Sequence, residues 1–485
     1  MDRLAAADQL GSRRFDLLVI GGGIIGAGIA EAATAHGLSV ALVDRGDFAG
    51  ATSSASSKLV HGGLRYLQMG DVALVREAHT ERRALMNVVA PHLVHRLPFV
   101  FPLYRGGPHR PWVVRTGVLL YSALARARLN GRVTTRRALG LVPDLRTTDL
   151  HSCALYADAS TNDGRLTLAN VRAAADRGAV VVNYAEVTEI HGDGATVAVD
   201  GERVRVTASR LVNATGPWLD RVRQLEDERA APSVRLSKGV HLITDGSDGW
   251  SAAVTIPQDK LRVSFAIPWH GKLLLGTTDT LHEGPPEDAR VTDDDVRTVL
   301  AEAGEAVGGI GPVRASFVGL RVLPGGPGTT ASARRETVYA EGPAGMLSIA
   351  GGKLTTYRRI ALDALRHAGV RNLDGRPRPL PGASGLDRVA WPVELDAATR
   401  THLLGLYGSL VTEVLAPAIE DETLLEPLVE GRPDLRAQEL YAFEREWARN
   451  EWDVLRRRTT AWLSGAGLDS KHGSELDAAD PAARS

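Results

Sequence analysis

Apolar residues along this chain recur with two different periods, and the switches between the periods predict its elements. An apolar strand pattern at 15–20 runs into the glycine-rich stretch 21–26, and helical spacing continues from there to Ala35. A second strand is predicted at 39–43, ending at Asp44. Strand, turn, helix and strand in this order are typical of a parallel sheet that is covered by helices.

The junction between a strand and a glycine turn returns twice further along the chain. One such junction lies at 210–218 and another at 346–357. Three returns to one sheet imply a discontinuous domain with insertions between the returns. The second insertion carries alternating patterns at 261–267 and 272–276, which are typical of an antiparallel sheet. Residues 395–465 have helical spacing and are rich in Leu, Ala, Glu and Arg, so they predict a small all-α domain.

The first glycine-rich stretch has the chemistry of a dinucleotide site. Gly21, Gly23 and Gly26 have the spacing G-x-G-x-x-G between a strand and a helix. The first glycine allows the tight turn, the second lets the backbone approach a pyrophosphate, and the third lets the helix pack on the strand. The helix start favours a diphosphate, and Asp44 is placed to accept a hydrogen bond from a ribose 2′-hydroxyl. These residues predict a dinucleotide without a 2′-phosphate, and they leave both NAD and FAD open.

The elements together predict an α/β fold in three parts. A Rossmann-like nucleotide-binding domain is discontinuous and is predicted at 1–75, 156–235 and 321–380. An inserted antiparallel β-sheet domain, expected to carry the substrate side of the site, is predicted at 76–155 and 236–320. An all-α domain is predicted at 386–465, and the polar stretch 466–485 is expected to be a disordered tail.

Composition narrows the class of protein. The net charge is −1, and Cys153 is the only cysteine, which excludes internal disulfides and cysteine-based metal clusters. No metal site is predicted. A strand that starts by Phe15 leaves no room for a secretory signal, and no uncharged apolar run is long enough to span a bilayer. We therefore expect an intracellular protein that is soluble or peripherally attached to a membrane.

The few lysines are candidates for ligand contacts. Of the 57 basic residues only six are Lys, and Lys58, Lys238 and Lys353 each stand beside Ser, Gly or Thr in predicted turns. A compact ammonium is not interchangeable with a guanidinium. Each of the three could bind a ligand, or each could be an ordinary surface residue.

A long basic stretch lies before the strand–glycine junction at 210–218. Between Glu81 and Asp144 there are eleven arginines and no acidic residue. Residues 112–129 form an apolar helical candidate, in which Arg115 and Arg126 share one stripe with Ser122. A basic amphipathic helix suits an anionic membrane surface. The alternative is a core helix whose arginines pair with acids elsewhere. An RNA-binding face is a remote third interpretation, and no nucleic acid is expected as a partner.

Several separate blocks resemble one known family, the FAD-dependent glycerol-3-phosphate dehydrogenases, and the resemblance extends from about residue 15 to 463. The blocks are 51–58, 61–67, 212–218, 276–279, 351–358 and 453–459. The resemblance implies FAD as the cofactor, sn-glycerol 3-phosphate as the substrate, dihydroxyacetone phosphate as the product and a membrane quinone as the electron acceptor. A homo-oligomer in the cytoplasm is also expected. If the protein attaches to a membrane, the cytoplasmic face is the expected side.

The resemblance assigns roles to individual residues. The chemistry of the substrate supports it: a phosphoester needs several cationic donors in one pocket, so we expect Lys58, Arg65, Tyr66, Arg321 and Lys353 to bind it. Arg321, Lys353 and His241 are the residues expected in catalysis. The alternative for Arg65 and Arg321 is surface ion pairing. His61 is the other candidate for the general base. For the cofactor the resemblance implies Gly21, Gly23, Ile24, Ile25, Gly26, Asp44, Thr52, Ser53, Ser54, Ser57, Lys58, His61, Gly62, Gly63, Val187, Ala214, Thr215, Gly216, Gly352, Lys353, Leu354, Thr355 and Thr356.

Two alternative enzymes remain open. A glycerol-3-phosphate oxidase would use oxygen as its acceptor, but some oxidases of this group carry an added segment that is not found here, which favours quinone. An amino-acid oxidase of related fold would need one carboxylate-binding arginine in an otherwise apolar pocket, and a cationic cluster does not fit that requirement.

Overall fold

Two β-sheets organise the chain in the computed structural model, which describes residues 3–64, 67, 70–126, 131–246, 248–260, 262–325 and 337–465. The strands are β1 Arg14–Ile20, β2 Val40–Val43, β3 Leu59–Val60, β4 Val94–Tyr104, β5 Leu150–Thr161, β6 Val180–Val182, β7 Ala185–His191, β8 Gly194–Val199, β9 Glu202–Asn213, β10 Val234–Thr244, β11 Ala253–Pro257, β12 Val263–Trp269, β13 Lys272–Gly276, β14 Thr280–His282, β15 Val313–Pro324, β16 Val338–Glu341 and β17 Leu347–Ala350. The helices are α1 Arg3–Ser12, α2 Ile24–Ala35, α3 Val72–Ala84, α4 Pro111–Leu124, α5 Thr135–Leu141, α6 Asp163–Asp176, α7 Leu219–Glu226, α8 Asp293–Gly304, α9 Tyr357–His367, α10 Ala397–Tyr407, α11 Val411–Leu415 and α12 Arg436–Arg445.

The first sheet is the nucleotide-binding sheet. Its strand order is β16-β17-β9-β1-β2-β6, and β1 pairs in parallel with both β2 and β9. Ile20 is in register with both Val43 and Asn213, so the turns after these three strands meet at one edge. The three predicted returns at β1, β9 and β17 are thus neighbours in one sheet, and α2 packs on it beside α6 and α9. The predicted fold class is confirmed.

The second sheet is built from the two insertions. Its order is β14-β10-β13-β12-β11-β4-β5-β3, with β15 paired to β10. Its pairs are antiparallel except for β4 with β11. Strand β13 has the predicted bounds, whereas β12 extends two residues beyond the predicted 261–267. An apolar core lies on one face of this sheet, against α8.

Three of the predicted domain boundaries fall inside strands of this second sheet. The divisions at 155/156, 235/236 and 320/321 lie within β5, β10 and β15. Each of these strands keeps its pairing in the second sheet on both sides of the predicted division. Composition does not change within a continuous strand, so the sequence pattern could not locate where the sheet stops.

The basic helix candidate is shorter than predicted. Helix α4 ends at Leu124, and Arg126 has a positive φ of 51°, which ends the helical path. The remainder of the predicted 112–129 lies outside the described residues after Arg126. One face of α4 is buried through Val114, Val118 and Tyr121, and the opposite face is exposed. The helix is therefore a surface element with one packed side.

The C-terminal part is helical, as predicted. Leu403, Leu406, Val414 and Tyr441 belong to its own apolar core. By length and composition the stretch Ala397–Ile419 could cross a membrane, with a mean hydropathy of 1.3, but 44 % of its apolar window is buried. A core helix of a soluble protein passes the same test, so this stretch is weak evidence of a membrane span.

Buried charge joins the C-terminal part to the nucleotide-binding sheet. Asp47 accepts hydrogen bonds from Arg457 and from both terminal nitrogens of Arg458, one of them at 2.9 Å. Asn183 donates to the same carboxylate at 3.0 Å. Burial alone raises the pKa of Asp47, but the guanidinium groups of Arg458 and Arg457 more than offset this and hold the pKa below its ordinary value. Asp47 is therefore a buried anion that two cations neutralise.

We expect Arg458→Ala to lower the free energy of unfolding by about 3–5 kcal/mol, because it leaves Asp47 with part of its charge uncompensated in the interior. The urea midpoint of the purified protein measures this change. The control is Arg436→Ala in the same helical part, where the pair with Glu426 is half exposed and its loss should cost less than about 1 kcal/mol. Equal losses in the two variants would contradict the importance of the buried pair.

Candidate functional site

A cavity of 710 Å³ opens between the two sheets. One wall comes from the strand ends of the nucleotide-binding sheet, and the facing wall from the second sheet. Predicted cofactor residues that line it are Gly21, Gly23, Ile24, Ile25, Asp44, Thr52, Ser53, Ser57, His61, Gly63, Val187, Ala214, Thr215, Gly216, Gly352, Lys353, Leu354 and Thr355. The cavity thus brings together residues from the start, the middle and the end of the FAD-binding prediction.

The first glycine turn fits a pyrophosphate. Gly21 has a φ of 105°, and a Cβ on it would lie 2.7 Å from the carbonyl oxygen of Ala214. A Cβ on Gly26 would lie 1.8 Å from the carbonyl oxygen of Gly21, so the helix can approach the strand only with glycine there. The N-cap residue of helix α2, Gly23, has no side chain to cap the helix and lines the cavity, while Ile24 N donates to Ser53 Oγ. The turn and the helix start are therefore available to a diphosphate.

Asp44 occupies the position expected for a ribose contact. Its carboxylate accepts hydrogen bonds from Gly22 N at 2.6 Å and Gly46 N at 2.9 Å, which orients it beside the cavity. Burial raises the pKa of Asp44 to about 6, against the effect of these amides. The glycine turn, the helix start and this acid fit the FAD that the sequence predicts.

The polar loop 51–58 connects both walls of the cavity. Ser53 Oγ accepts a hydrogen bond from Ile24 N at 2.9 Å, at the start of α2. Thr52 donates to the carbonyl of Leu320 in β15 at 2.7 Å, and Ser57 Oγ lies 2.8 Å from Nε2 of His241 in β10. The loop therefore positions the nucleotide-binding helix relative to the second sheet.

Lys58 does not line the cavity. Its side chain is buried, its ammonium lies 2.6 Å from Asp163 and also donates to the carbonyl of Ser54, and Trp269 and Phe317 pack around it. The structure thus places this predicted substrate and cofactor residue in an internal ion pair. Four other predicted cofactor residues also lie behind the cavity wall: Gly26, Ser54, Gly62 and Thr356.

Lys238, the other lysine singled out by its turn-like context, is also an internal partner. It lies 2.6 Å from Asp295 and donates to the carbonyl of Arg290. The neighbouring Gly239 lines the cavity instead. Only Lys353 among the three candidate lysines is part of the cavity wall.

The double-glycine loop is held from two sides. The hydroxyl of Thr355 accepts from His61 N at 3.0 Å and donates to the carbonyl of His61 at 3.2 Å. Gly62 N donates to Asp158 at 3.2 Å, and the same carboxylate accepts from Tyr121 and Arg82. The predicted substrate residues 65 and 66, an arginine and a tyrosine, follow this loop and lie outside the described residues.

The three predicted catalytic residues line one cavity, two from the second sheet and one from the facing wall. His241 in β10, Arg321 in β15 and Lys353 after β17 all line it. Arg321 donates to Thr277 Oγ1 at 2.9 Å and to the carbonyl of Thr278, which aims the guanidinium from the second sheet toward the cavity. Three strands that are distant in sequence therefore present one base and two cations to a single space.

His241 is held as a neutral imidazole. Its ring stacks on Phe317 at 4.9 Å, and burial, followed by the charges of Arg321 and Lys58, lowers its pKa well below the ordinary value. A neutral ring in a cavity can accept a proton. Because Ser57 holds Nε2, the imidazole has a defined orientation.

Sequence reasoning missed the acids that support this site. Asp279 accepts from Ser237 and lies 3.7 Å from Arg321, and Asp163 neutralises Lys58. Asp279 ends the block 276–279, so an acid directly after a strand end was the available signal. Asp163 had no comparable signal, because its partner lies 105 residues away in sequence. Within the ranges that the structure describes, no group of three metal-ligating side chains is found.

Family comparisons agree with this geometry. Residues 16–358 match the family described as FAD dependent oxidoreductase, and residues 375–471 match the C-terminal domain of alpha-glycerophosphate oxidase. The chain is 37 % identical to the glycerol-3-phosphate dehydrogenase of Mycobacterium leprae, covering 94 % of this chain and 82 % of that protein.

Solved structures give the same result. The glycerol-3-phosphate dehydrogenase of Bacillus halodurans, solved with FAD, is similar with a TM-score of 0.77 and 30 % identity, covering 96 % of this chain and 90 % of that one. The L-alpha-glycerophosphate oxidase of Mycoplasma pneumoniae has a TM-score of 0.56 at 16 % identity, over 76 % of this chain and 99 % of that one, which shows the fold alone. FAD is the cofactor that these comparisons and the cavity support together.

A buried histidine beneath the double-glycine loop predicts acid sensitivity. Burial, and then the charges of Arg82 and Arg83, lower the pKa of His79 to about 3. The unfolded chain protonates this residue below about pH 6.5, so it binds the extra proton between about pH 6.5 and 3 and stability falls as the pH falls. We expect His79→Leu to reduce the slope of unfolding free energy against pH in this window by about 1.4 kcal/mol per unit.

Urea midpoints at pH 7, 6 and 5 with excess FAD measure that slope. The control is Val75→Ala at a buried position of the same helix as His79, which removes no titratable group and should leave the slope unchanged. A wild-type slope in His79→Leu would show that this residue is not the one that titrates.

Proposed function

This chain belongs to the family of FAD-dependent glycerol-3-phosphate dehydrogenases, and we propose that it oxidises sn-glycerol 3-phosphate to dihydroxyacetone phosphate and passes the electrons to a membrane quinone. The observation that carries the substrate assignment is that Arg321 and Lys353 line the same cavity as His241, Arg321 from the second sheet and Lys353 from the facing wall. Two cations beside one neutral base suit a substrate that is a dianion at one end and an alcohol at the other.

Different residues of the cavity have different roles in the proposed reaction. Arg321 and Lys353 bind the phosphate and the oxygen that develops into the ketone. His241 accepts the hydroxyl proton, for which its neutral state at pH 7 is required. FAD, when bound, would supply the acceptor for the hydride of the carbinol carbon. The short helical turn Leu354–Thr356 and α9 point a positive helix end toward the cavity, which favours negative charge there.

The cationic wall distinguishes this proposal from an amino-acid oxidase. A carboxylate substrate needs one arginine in an otherwise apolar pocket. Here Lys260, Arg262, Arg321 and Lys353 all line the cavity. Arg262 is neutralised by Glu302 at 2.6 Å, whereas Lys260 is exposed at the cavity edge. Cationic side chains from both sheets thus line one cavity, which supports a phosphorylated substrate.

An aromatic end of the cavity supports a quinone as acceptor. Phe99, Phe101, Tyr156 and Phe265 line this end, and they belong to the same apolar cluster as the buried face of α4. Flat aromatic walls suit the ring of a quinone. Oxygen is the second candidate acceptor, favoured by the match of residues 375–471 to an oxidase domain; peroxide release in air would identify it.

The exposed face of α4 supports attachment to a membrane. Four large apolar residues face outward, with Trp112 64 % exposed and Leu120 48 % exposed, together with Val113 and Leu119. Arginines of the segment 105–137, which contains α4, are exposed and form no ion pair with any described carboxylate: Arg105, Arg110, Arg126, Arg132, Arg136 and Arg137. An apolar stripe with basic flanks fits an anionic lipid surface. We propose the cytoplasmic face of the membrane as its location.

The substrate assignment is tested by mixing the FAD-loaded protein with glycerol 3-phosphate without oxygen and following the loss of yellow absorbance. We expect Arg321→Ala to lower kcat/KM about ten- to a hundredfold, because a charged hydrogen bond of roughly 1.5–3 kcal/mol is lost. FAD content should not change.

Arg314→Ala is the matched control, since Arg314 lies on the same strand and pairs with Asp245 on the surface. It should react at the wild-type rate. Bleaching by an amino acid rather than by glycerol 3-phosphate would overturn the substrate assignment, as would equal rates in the two variants.

Membrane attachment is tested by sedimentation with vesicles that contain anionic lipid. We expect Trp112→Ser with Leu120→Ser to lower the bound fraction at least about tenfold, because two large apolar contacts with lipid are lost. The control pair is Ile419→Ser with Phe443→Ser, which are exposed apolar residues of the helical part.

The control variant should bind vesicles like the wild type. Absence of wild-type binding to vesicles, together with a salt-dependent gel shift of tRNA, would replace the membrane surface with an RNA face.

A further inference from the structure

Three segments that are distant in sequence converge at one end of the cavity. Arg45 follows Asp44 after β2, Trp218 ends the short turn Gly216–Trp218 after β9, and Glu287 lies in the short turn Pro286–Asp288 after β14. Glu287 Oε1 lies 2.8 Å from Arg45 Nη2 and accepts from Trp218 Nε1 at 2.7 Å. The guanidinium of Arg45 lies over the indole ring at 4.2 Å from its centre.

Glu287 is the acceptor on which this cluster depends. Arg221 also approaches Oε1 of Glu287, at 3.5 Å, so three donors share one carboxylate oxygen. Partial burial opposes ionisation, but the hydrogen bonds from the backbone, Arg45 and Trp218 hold the pKa of Glu287 below its ordinary value. The carboxylate is therefore charged at neutral pH, and it bridges the two sides of the cavity mouth through Arg45 and Trp218.

The cluster lies at the adenosine end of the FAD site. Arg45, Trp218 and Arg221 line the cavity, as do the adjacent Asp44 and Val187. Asp44 marks the ribose position in this fold. Arg321 and Lys353 belong to the opposite, reacting end. The cluster is therefore placed beside the adenosine moiety of FAD, which does not react.

The cluster also joins the two sheets across the cavity. Arg45 and Trp218 follow strands of the nucleotide-binding sheet, whereas Glu287 follows a strand of the second sheet. The side chains of Arg45 and Glu287 are 23 % and 32 % exposed. Solvent and salt therefore reach the pair, so it can open without unfolding either sheet.

We propose that Arg45, Trp218 and Glu287 form a latch that closes the adenosine end of the cavity and sets the rate at which FAD dissociates. When the Glu287 contacts are made, the Trp218 ring and the Arg45 guanidinium are held together at the cavity wall. When they break, the two sheets lose this connection and the adenosine end opens. The latch is a device for cofactor retention, and Glu287 acts through Arg45 and Trp218 without lining the cavity itself.

The test is the rate of FAD release from the FAD-loaded protein after dilution, followed by the fluorescence of free flavin. We expect Glu287→Gln to release FAD about three- to tenfold faster, because partly exposed ionic and cation–π contacts are individually modest. Raising the KCl concentration should accelerate release from the wild type and should have much less effect on the variant.

Two further variants make the result specific. Asp288→Asn changes the charge of the adjacent exposed carboxylate and should release FAD at the wild-type rate. Trp218→Phe keeps the ring under Arg45 but removes the indole donor, so its release should be faster than in the wild type. If Glu287→Gln does not fold, a faster release from Trp218→Phe with unchanged thermal stability still supports the latch.

Two outcomes overturn the proposal. One is wild-type release from both Glu287→Gln and Trp218→Phe. The other is equal acceleration by Asp288→Asn, which would show a general charge effect. The assay contains no glycerol 3-phosphate, so its outcome is independent of the proposed substrate and acceptor.

Discussion

The nucleotide side of the cavity depends on two buried carboxylates, one just before the polar loop 51–58 and one that contacts this loop. Asp47 receives Arg457 and Arg458 from the C-terminal part, and Asp163 receives Lys58 together with the hydroxyl of Ser56. A buried charge without its partner costs several kcal/mol. Loss of either pair would therefore destabilise this part of the protein. The helical C-terminal part is therefore a support of the nucleotide site, although most of its residues are remote from the cavity.

The same loop explains how one site arises from two sheets. Its outward hydroxyls reach the start of α2, the carbonyl of Leu320 and the ring of His241. The base of the proposed reaction is thus oriented by the segment that also contacts the helix at the pyrophosphate position. The nucleotide side and the substrate side of the site therefore depend on the same loop, through short hydrogen-bonded contacts.

Individual residues show where sequence reasoning succeeded and where it could not. Gly21, Gly26 and Asp44 act through local backbone geometry, which a strand, a turn and a helix in sequence already specify. Lys58 and Lys238 stood in equally suggestive turns, but their ammonium groups have buried carboxylate partners. Composition cannot distinguish an ammonium that faces a ligand from one that neutralises an internal acid, because the partner acid is distant in sequence.

From the sequence alone follow the α/β class, the three returns to one sheet, the helical C-terminal part and the dinucleotide fingerprint. These features depend on periodicity and on short spacings, which act over a few residues. The tertiary structure decided where the second sheet ends, which lysine reaches the cavity, and that Glu287 meets Arg45 and Trp218 across it. Those outcomes depend on which side chains meet after the two sheets close on each other, and no local pattern encodes contacts between segments hundreds of residues apart.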